Sequence, residues 1–502
     1  MNFQFIFFLA GLFAVNISSL FAEWNEKEFD QFIEEAMAEF KVPGAAITIV
    51  KGNDILLQQG YGFRNVLEKL PVTKDTLFPI GSITKSITAA TLATLVDEGR
   101  VQWDSQVRDY LPGIRFSQDK YAELTLLDML VHRSGMPRHD SVWHDFSPTH
   151  EELMSQIRYL EMSKPLRTTF QYNNILYSLA GDVISAVDKK SYDESVRERI
   201  LNPLEMHSTN FSIVDSLFTE DYASAYSKDP STREVVNIGF HNLDNVTAAG
   251  GINTTATDAA RYLSFLLNAG IFENHRIVSE ASMSSMCTPH ILFNPNPPFK
   301  ETEASYYGLG LIISKYRGKT LISHTGGIDG FSAVMLLLPE EQIGIFIMSN
   351  LDEEGANFGS AVGLKAIDRL LNFSPIPWVQ RYITLEHNAY EEQSRKLMLD
   401  AKQQIIETKP SHDLLSYTGS YKNDGYGELN IYLEDNQLSL FIGKKKRQLK
   451  HFHYDVFMIE SDLHDGLNNK KLNFSTDFKG KIESVAIPLE ASVKPIVFYR
   501  SI

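Results

Sequence analysis

The stretch Gly81-Ser82-Ile83-Thr84-Lys85 places a hydroxyl and an amine three residues apart, where a strongly helical sequence begins. Residues i and i+3 of a helix lie on one face, so the Lys85 amine can reach the Ser82 hydroxyl and accept its proton. At a helix N-terminus the unpaired N–H groups favour negative charge, so the N–H of Ser82 can stabilise an oxyanion. The stretch therefore predicts a nucleophilic serine and half of an oxyanion hole.

The Ser-x-x-Lys pattern is weak evidence by itself, because about one or two copies are expected by chance in a chain of this length. A second copy, Ser117-Gln118-Asp119-Lys120, lies in a polar loop with no helix to align its two groups. Residues 84–98, by contrast, are rich in Ala, Thr and Leu and end at Gly99, which is typical of a buried helix with a glycine C-cap. For Ser82 alone, an ordinary serine N-cap is an equal alternative.

Tyr172-Asn173-Asn174 is the second motif. Its phenol can transfer a proton, and the Asn174 amide can bind a substrate carbonyl or orient the lysine. The same spacing occurs in Tyr421-Lys422-Asn423, but there the surrounding segment has strand character. Taken alone, Tyr172 is better interpreted as a buried tyrosine with a satisfied hydroxyl.

The third motif, His324-Thr325-Gly326-Gly327, follows a short apolar run and precedes residues 331–338, which are typical of a buried strand. Glycines at a strand edge allow a substrate to approach the backbone, and the Gly327 N–H can be the second oxyanion donor. The alternative is a glycine-rich hairpin whose histidine has no role.

In this order, the three motifs resemble those of the serine β-lactamase and penicillin-binding protein superfamily. The branch that they resemble most is the class C β-lactamase-like serine hydrolases, which include D-Ala-D-Ala carboxypeptidases, D-aminopeptidases and esterases. Residues 42–46, 130–137 and 248–252 also look like structural segments of this family. The resemblance spans roughly residues 24 to 370.

The resemblance implies an acyl-enzyme mechanism, in which Ser82 attacks a carbonyl group and Lys85 and Tyr172 transfer protons. The N–H groups of Ser82 and Gly327 would bind the oxyanion, and water would release the acyl group. A free lysine has a pKa of about 10.4, so burial beside Tyr172 must lower the pKa of Lys85. The residues that the resemblance assigns to substrate binding are Asn174, His324, Thr325, Gly326 and Gly327.

One position departs from the family pattern, since many β-lactamases and carboxypeptidases have Lys-Thr-Gly where this chain has His324-Thr325-Gly326. Histidine titrates near pH 6.5 and is mostly neutral in mildly alkaline surroundings, which weakens the case for binding a substrate carboxylate. Histidine here is more similar to the esterase and D-aminopeptidase branches. We therefore expect a serine hydrolase that acts on ester or peptide-like amide substrates, including D-amino-acid ones, ahead of antibiotics.

The N-terminus predicts secretion. Residues 3–15 are apolar, small residues follow at 18–22, and the chain then becomes polar, which is typical of a signal peptide of residues 1–22. A membrane anchor would need about 18 or more apolar residues, and no later segment is long and apolar enough to span. An alternative of another class is a non-catalytic extracellular or shell-matrix protein that keeps this fold, although the joint presence of Ser82, Lys85, Tyr172 and Asn174 argues against it.

Composition limits the partners. The net charge of −16 argues against nucleic acid, which leaves a small-molecule or peptide-like substrate and, for the alternative function, an extracellular matrix. We expect no cofactor and no metal, because His150-Glu151 begins a zincin motif but Met154 replaces its second histidine. Cys287 is the only cysteine, so no intrachain disulfide forms. In a secreted protein, Asn-x-Ser/Thr sites for glycans are Asn210, Asn245, Asn253, Asn372 and Asn473.

The periodicity predicts an α/β (α+β) fold of the β-lactamase/transpeptidase type. Residues 24–40 read as an amphipathic helix and residues 45–50 and 55–61 as a hairpin, and strands return at 307–314, 321–323, 331–338 and 343–349. The simplest arrangement is one antiparallel sheet from both ends of the domain, flanked by helices, with an inserted helical lobe. The expected divisions are a signal peptide (1–22), the hydrolase domain (23–372), a helical connector (373–410) and a small all-β domain, barrel or sandwich (411–502).

Overall fold

The structure is a computed structural model that describes residues 24–52, 54–462 and 465–501. The predicted signal peptide lies outside the described residues. The helices are α1 (Glu26–Phe40), α2 (Thr84–Asp97), α3 (Val107–Tyr110), α4 (Leu126–Leu130), α5 (Asp140–His144), α6 (His150–Gln156), α7 (Asn174–Asp188), α8 (Tyr192–Val196), α9 (Ile213–Leu217), α10 (Thr247–Gly250), α11 (Ala256–Leu267), α12 (Glu280–Met286), α13 (Glu353–Leu370) and α14 (Trp378–Ala401). None of the helices in this part of the chain is long and apolar enough to cross a membrane.

The strands form one large sheet, three short pairs and a barrel. Up to residue 349 they are β1 (Gly44–Lys51), β2 (Asp54–Asn65), β3 (Leu70–Pro71), β4 (Phe78–Pro79), β5 (Tyr226–Lys228), β6 (Val235–Asn237), β7 (Asn253–Thr254), β8 (Ile271–Phe272), β9 (His275–Arg276), β10 (Ile291–Asn294), β11 (Ser305–Tyr307), β12 (Ile312–Tyr316), β13 (Lys319–Ile328), β14 (Phe331–Leu338) and β15 (Ile343–Ser349). The barrel strands are β16 (Gly419–Asn423), β17 (Gly427–Glu434), β18 (Gln437–Ile442), β19 (Lys445–His453), β20 (Val456–Glu460), β21 (Lys471–Thr476), β22 (Ile482–Ile487) and β23 (Ile496–Arg500).

The large sheet combines the two ends of the hydrolase domain, as the sequence predicts. Its strand order is β10-β11-β12-β13-β14-β15-β1-β2-β3, and the two ends meet where β1 pairs with β15, with Ala45 opposite Ser349. Strands β14 and β15 are buried along their whole length, because helices cover both faces of the sheet. Val334 on β14 packs with α1 and α13, whereas its neighbour Met335 faces the core that includes α11 and the helical lobe.

The helical lobe lies between β4 and β8 in the chain and contains α2, which is buried over nearly its whole length. One predicted strand, 307–314, is divided in the structure into β11 and β12. The division occurs at Gly310, whose φ of +71° favours glycine and whose Cβ, if present, would lie 2.6 Å from the carbonyl oxygen of Lys85. The turn therefore packs directly against the beginning of α2.

The C-terminal strands β16 to β23 form a closed antiparallel barrel, in which β16 pairs with β23. Closure removes the free sheet edges, and apolar side chains fill the interior. The basic run at 444–447 lies at the β18–β19 turn, but only its lysines are exposed. Arg447 is buried and its Nε donates to Asp465 at 2.6 Å, so its guanidinium does not add to the exposed charge of the turn.

Candidate active site

Ser82 lies in a 3-10 turn, Gly81–Ile83, immediately before α2. The turn packs against the edge of β13 so closely that side chains are excluded from both sides. A Cβ on Gly81 would lie 2.7 Å from the Gly327 nitrogen, and a Cβ on Gly326 would lie 1.8 Å from the carbonyl oxygen of Ile80. The glycines of the third motif thus allow the strand edge to reach the serine.

The hairpin between β13 and β14 orients the Gly327 N–H. Its turn has two residues, 329 and 330, between Ile328 and Phe331. In such a hairpin the flanking pair is hydrogen-bonded and the next pair, here Gly327 opposite Ser332, is not. The Gly327 N–H therefore points away from β14, towards the serine turn, where it can act with the N–H of Ser82 on an oxyanion.

Lys85 is fully buried, and its Nζ has three polar partners. Nζ lies 3.0 Å from Ser82 Oγ, 2.8 Å from Asn174 Oδ1 and 2.7 Å from the carbonyl oxygen of Ala249. The Asn174 oxygen faces the lysine because Nδ2 of the same amide donates to Asp140 Oδ1 at 3.2 Å. Two of the three partners are therefore acceptors only, and Ser82 alone can donate a proton to the lysine. A neutral Lys85 amine must direct its lone pair at the Ser82 hydroxyl.

The surroundings of Lys85 favour that neutral form. Burial holds the pKa of Lys85 well below its usual range, the positive charge of Arg138 lowers it further, and Asp140 opposes both effects. The predicted reduction of the lysine pKa is thus present in the structure, with burial as its main cause. Lys85 combines the position and the electrostatics of a general base for Ser82.

Tyr172 is half-buried, and its hydroxyl interacts with the Ser82 side chain. Its ring centre lies 4.8 Å from Lys85 Nζ and 4.9 Å from Cζ of Arg138. Burial raises the pKa of Tyr172 above its usual range, although the interaction with Ser82 and the charge of Arg138 oppose the change. Tyr172 therefore stays protonated and can donate or relay a proton, while the lysine accepts one.

His324 is buried, and both of its ring nitrogens are engaged within the protein. Nδ1 donates to the carbonyl oxygen of Thr325 at 2.7 Å, so Nε2 accepts from the Tyr307 hydroxyl at 2.9 Å. Burial lowers the pKa of His324 to about 3. The expectation that this histidine titrates near pH 6.5 is therefore wrong. His324 is neutral throughout the physiological range and offers no cation to a substrate carboxylate.

The sequence motifs omit several residues that complete the site. Asp140 accepts from Asn174 and, at 2.8 Å, from Nε1 of Trp143, and it pairs with Arg138. His132 accepts at Nδ1 from the backbone N–H of Asn173 at 3.1 Å, and its ring centre lies 4.3 Å from that of Tyr172. His132 belongs to the segment 130–137 that resembles the family, and Arg138 and Asp140 follow it directly, so that segment was the available signal.

The predicted glycan sites are of two kinds. Asn210, Asn245 and Asn253 are buried, and their side-chain amides hydrogen-bond inside the protein, so the folded structure leaves no room for a glycan at these positions. Asn372 and Asn473 are exposed and stay predictions. Burial raises the pKa of the Cys287 thiol to about 11, in line with a packed, unreactive cysteine.

The second copies of the motifs lie elsewhere. Ser117 is exposed, and Tyr421 is buried in β16 of the barrel, where its hydroxyl donates to the Tyr417 carbonyl.

A serine beside a buried lysine, with a phenol and two backbone donors, in a cleft between an antiparallel sheet and a helical lobe, defines a serine hydrolase of the β-lactamase-like type. The Beta-lactamase family model matches residues 29–366, and the chain belongs to this family. A second model, the domain of unknown function DUF3471, matches residues 403–500, which include the barrel.

Individual relatives agree with this class. An unguisins hydrolase of Aspergillus campestris is 28% identical over 440 residues, which cover 84% of this chain and 80% of that protein. Among solved structures, an octameric penicillin-binding protein homologue from Pyrococcus abyssi has 25% identity and a TM-score of 0.62, covering 94% of this chain and 99% of its own. A D-amino acid amidase from Ochrobactrum anthropi has 25% identity and a TM-score of 0.56, covering 69% and 98%. The predicted fold and family are confirmed.

Proposed function

We propose that this protein hydrolyses ester or amide bonds of peptide-like substrates, including those of D-amino acids, through an acyl-enzyme on Ser82. One observation carries the proposal. The lysine amine has a single partner that can give it a proton, and that partner is the serine hydroxyl at 3.0 Å. A purely structural protein has no need for this arrangement.

The reaction follows from the positions of the groups. Ser82 Oγ attacks the carbonyl carbon while its proton passes to Nζ of Lys85, and the N–H groups of Ser82 and Gly327 stabilise the oxyanion. When the bond to the leaving group breaks, Lys85 gives this proton to the leaving group, directly or through the Tyr172 hydroxyl. Water then attacks the ester of Ser82, gives its proton to the same base and releases the acid, and Ser82 regains its proton.

The neutral His324 bears on substrate choice. Without a cation at position 324, a substrate carboxylate has no charged partner at this part of β13, which favours esters and amides over carboxylate-bearing substrates such as β-lactams. The names of two relatives, an unguisins hydrolase and a D-amino acid amidase, also support hydrolysis of esters or amides. Because the apolar N-terminal segment is typical of a signal peptide, we propose that this activity is extracellular.

The test is to incubate the full chain with activated esters, D- and L-aminoacyl amides and a chromogenic β-lactam, and to follow product release together with intact mass. Ser82→Ala should abolish turnover and the acyl adduct. Ser117→Ala, which removes the exposed serine of the second Ser-x-x-Lys copy, should leave both unchanged. Faster turnover of D-amides than L-amides would establish the stereochemical preference. If no substrate reacts and Ser82→Ala equals the parent, the proposal fails and the matrix or binding function becomes the better explanation.

A further inference from the structure

A cluster outside the catalytic residues combines two imidazoles and a carboxylate. His144 ends α5, His241 lies in the loop before α10, and Asp329 occupies the turn between β13 and β14. One ligand atom from each lies within 4.8 Å of the other two. Within residues 24–52, 54–462 and 465–501, no other group of three histidine, cysteine or acidic side chains meets this condition.

The spacing of these atoms suits a small divalent ion. His144 Nε2 lies 3.4 Å and His241 Nδ1 lies 3.6 Å from Asp329 Oδ2. A tetrahedral Zn²⁺ with ligands at about 2.0 to 2.2 Å separates its donor atoms by about 3.3 to 3.6 Å. The distances from the Asp329 carboxylate to the two rings are therefore those expected between ligands of one metal ion.

The ring nitrogens that face away from Asp329 have surroundings compatible with metal binding. Nδ1 of His144 faces Asp145 Oδ1 at 3.3 Å, so a carboxylate orients this ring and leaves Nε2 directed at Asp329. Metal-binding histidines commonly have such a carboxylate on the second nitrogen. His241 Nε2 is buried without a hydrogen-bond partner, so nothing on that side fixes the ring.

The two rings are stacked, with centres 4.1 Å apart and planes 4° from parallel. Parallel rings cannot both direct an in-plane lone pair at one point, so binding requires one of them to turn. His241 is the ring that can do so, because His144 is held between two carboxylates. The His241 side chain is 12% exposed and that of Asp329 is 41% exposed, so an ion can reach them from solvent.

We propose that His144, His241 and Asp329 form a binding site for a Zn²⁺-class divalent ion, with water in the remaining coordination position. Asp329 follows Gly327 by two residues, and α5 begins at Asp140, the partner of Asn174. A bound ion would thus connect the hairpin that carries one oxyanion donor with the helix that supports the catalytic amide. The expectation of no metal rested on the incomplete zincin motif at His150-Glu151, and it did not consider these three residues, which are far apart in the chain and match no motif.

The first test measures binding and not activity. Tag-free full chain is treated with a chelator, dialysed and titrated calorimetrically with Zn²⁺, and we expect one ion per chain and a higher melting temperature with Zn²⁺ present. His241→Ala and Asp329→Asn should each weaken binding at least tenfold. His150→Ala is the matched control, since it removes an imidazole that pairs with Asp182 at 2.7 Å and has no second imidazole in its cluster. It should bind Zn²⁺ as the parent does.

A second measurement does not depend on how the variants fold. Co²⁺ added to the parent chain should give the visible absorption of a four-coordinate site with nitrogen and oxygen ligands, and Zn²⁺ should displace it. Absence of one-to-one binding in the parent would overturn the proposal. So would binding that His241→Ala and Asp329→Asn leave unchanged, since the cluster would then be only an ion pair of imidazole and carboxylate.

Discussion

Replacing Arg138 with glutamine should move the acid limb of the pH–activity profile to higher pH. The limb reports the protonation of the general base in the free enzyme, because kcat/KM falls when that base carries its proton. Arg138 lowers the pKa of Lys85 and Asp140 raises it. The variant removes the first influence and leaves the second, so the pKa of Lys85 rises and activity is lost at a higher pH than in the parent.

The size of the shift follows from the geometry. Lys85 Nζ and Arg138 Cζ lie 4.8 and 4.9 Å from the centre of the same Tyr172 ring, so the two charges are at most about 10 Å apart. At 10 Å, two like charges repel by about 0.4 kcal/mol at the dielectric constant of water and by about 1.7 kcal/mol at an effective value of 20. Since the Arg138 side chain is 52% exposed and solvent screens it, we expect about 0.3 to 0.8 pKa units.

The assay is kcat/KM against pH for an uncharged ester, whose binding does not depend on a cation. Arg158→Gln is the control, because Arg158 lies over the ring of Tyr159 in a similar way but outside the catalytic cleft. The control profile should match the parent. An acid limb that stays in place in Arg138→Gln, or that moves to lower pH, would show that Lys85 is not the group that titrates.

Two further substitutions test the packing around the serine and the role of His324. Gly326→Ala should abolish activity and lower the melting temperature, because the new methyl group would lie 1.8 Å from the carbonyl oxygen of Ile80 and the strand must move away from the serine turn. Tyr307→Phe should reduce the free energy of unfolding by about 1 to 3 kcal/mol in urea titrations, because His324 Nε2 loses its donor while it stays buried.

Both substitutions have matched controls. Gly113→Ala adds a methyl group where no atom lies within 4 Å, and it should retain activity and stability. Tyr306→Phe removes the hydroxyl of the neighbouring exposed tyrosine and should cost little stability. Full activity in Gly326→Ala would contradict the close approach of strand and serine, and unchanged stability in Tyr307→Phe would contradict the buried bond to His324.

Local patterns predicted most of the fold. The helix at 26–40 and the β1–β2 hairpin follow from apolar periodicity, and β14 and β15 have the predicted bounds because both runs are mostly apolar. The division of 307–314 was missed, since the turn at Gly310 is imposed by contact with the backbone of Lys85, more than 200 residues earlier in the chain. A tertiary contact of this kind leaves no trace in periodicity.

The residues of the site also differ in whether the sequence alone could predict them. Ser82 and Lys85 were predictable because three residues along a helical turn fix their proximity without knowledge of the fold. Asp140 and Tyr307 were not, because each bonds its partner through tertiary structure. The error over His324 has another cause: the residue type suggests a group that titrates near neutrality, whereas burial in the folded protein lowers the pKa of this imidazole.

The connection between the barrel and Lys85 is the least expected consequence of the fold. His139 precedes Asp140, and its backbone N–H donates to Glu490 at 3.0 Å while its Nδ1 bonds with the Tyr426 hydroxyl at 2.7 Å. Both partners belong to the C-terminal domain. Asp140 in turn orients the Asn174 amide, whose oxygen occupies one of the two acceptor-only positions around Lys85. The barrel therefore holds the segment that fixes where the lysine lone pair points, and the catalytic geometry depends on all three parts of the chain: sheet, lobe and barrel.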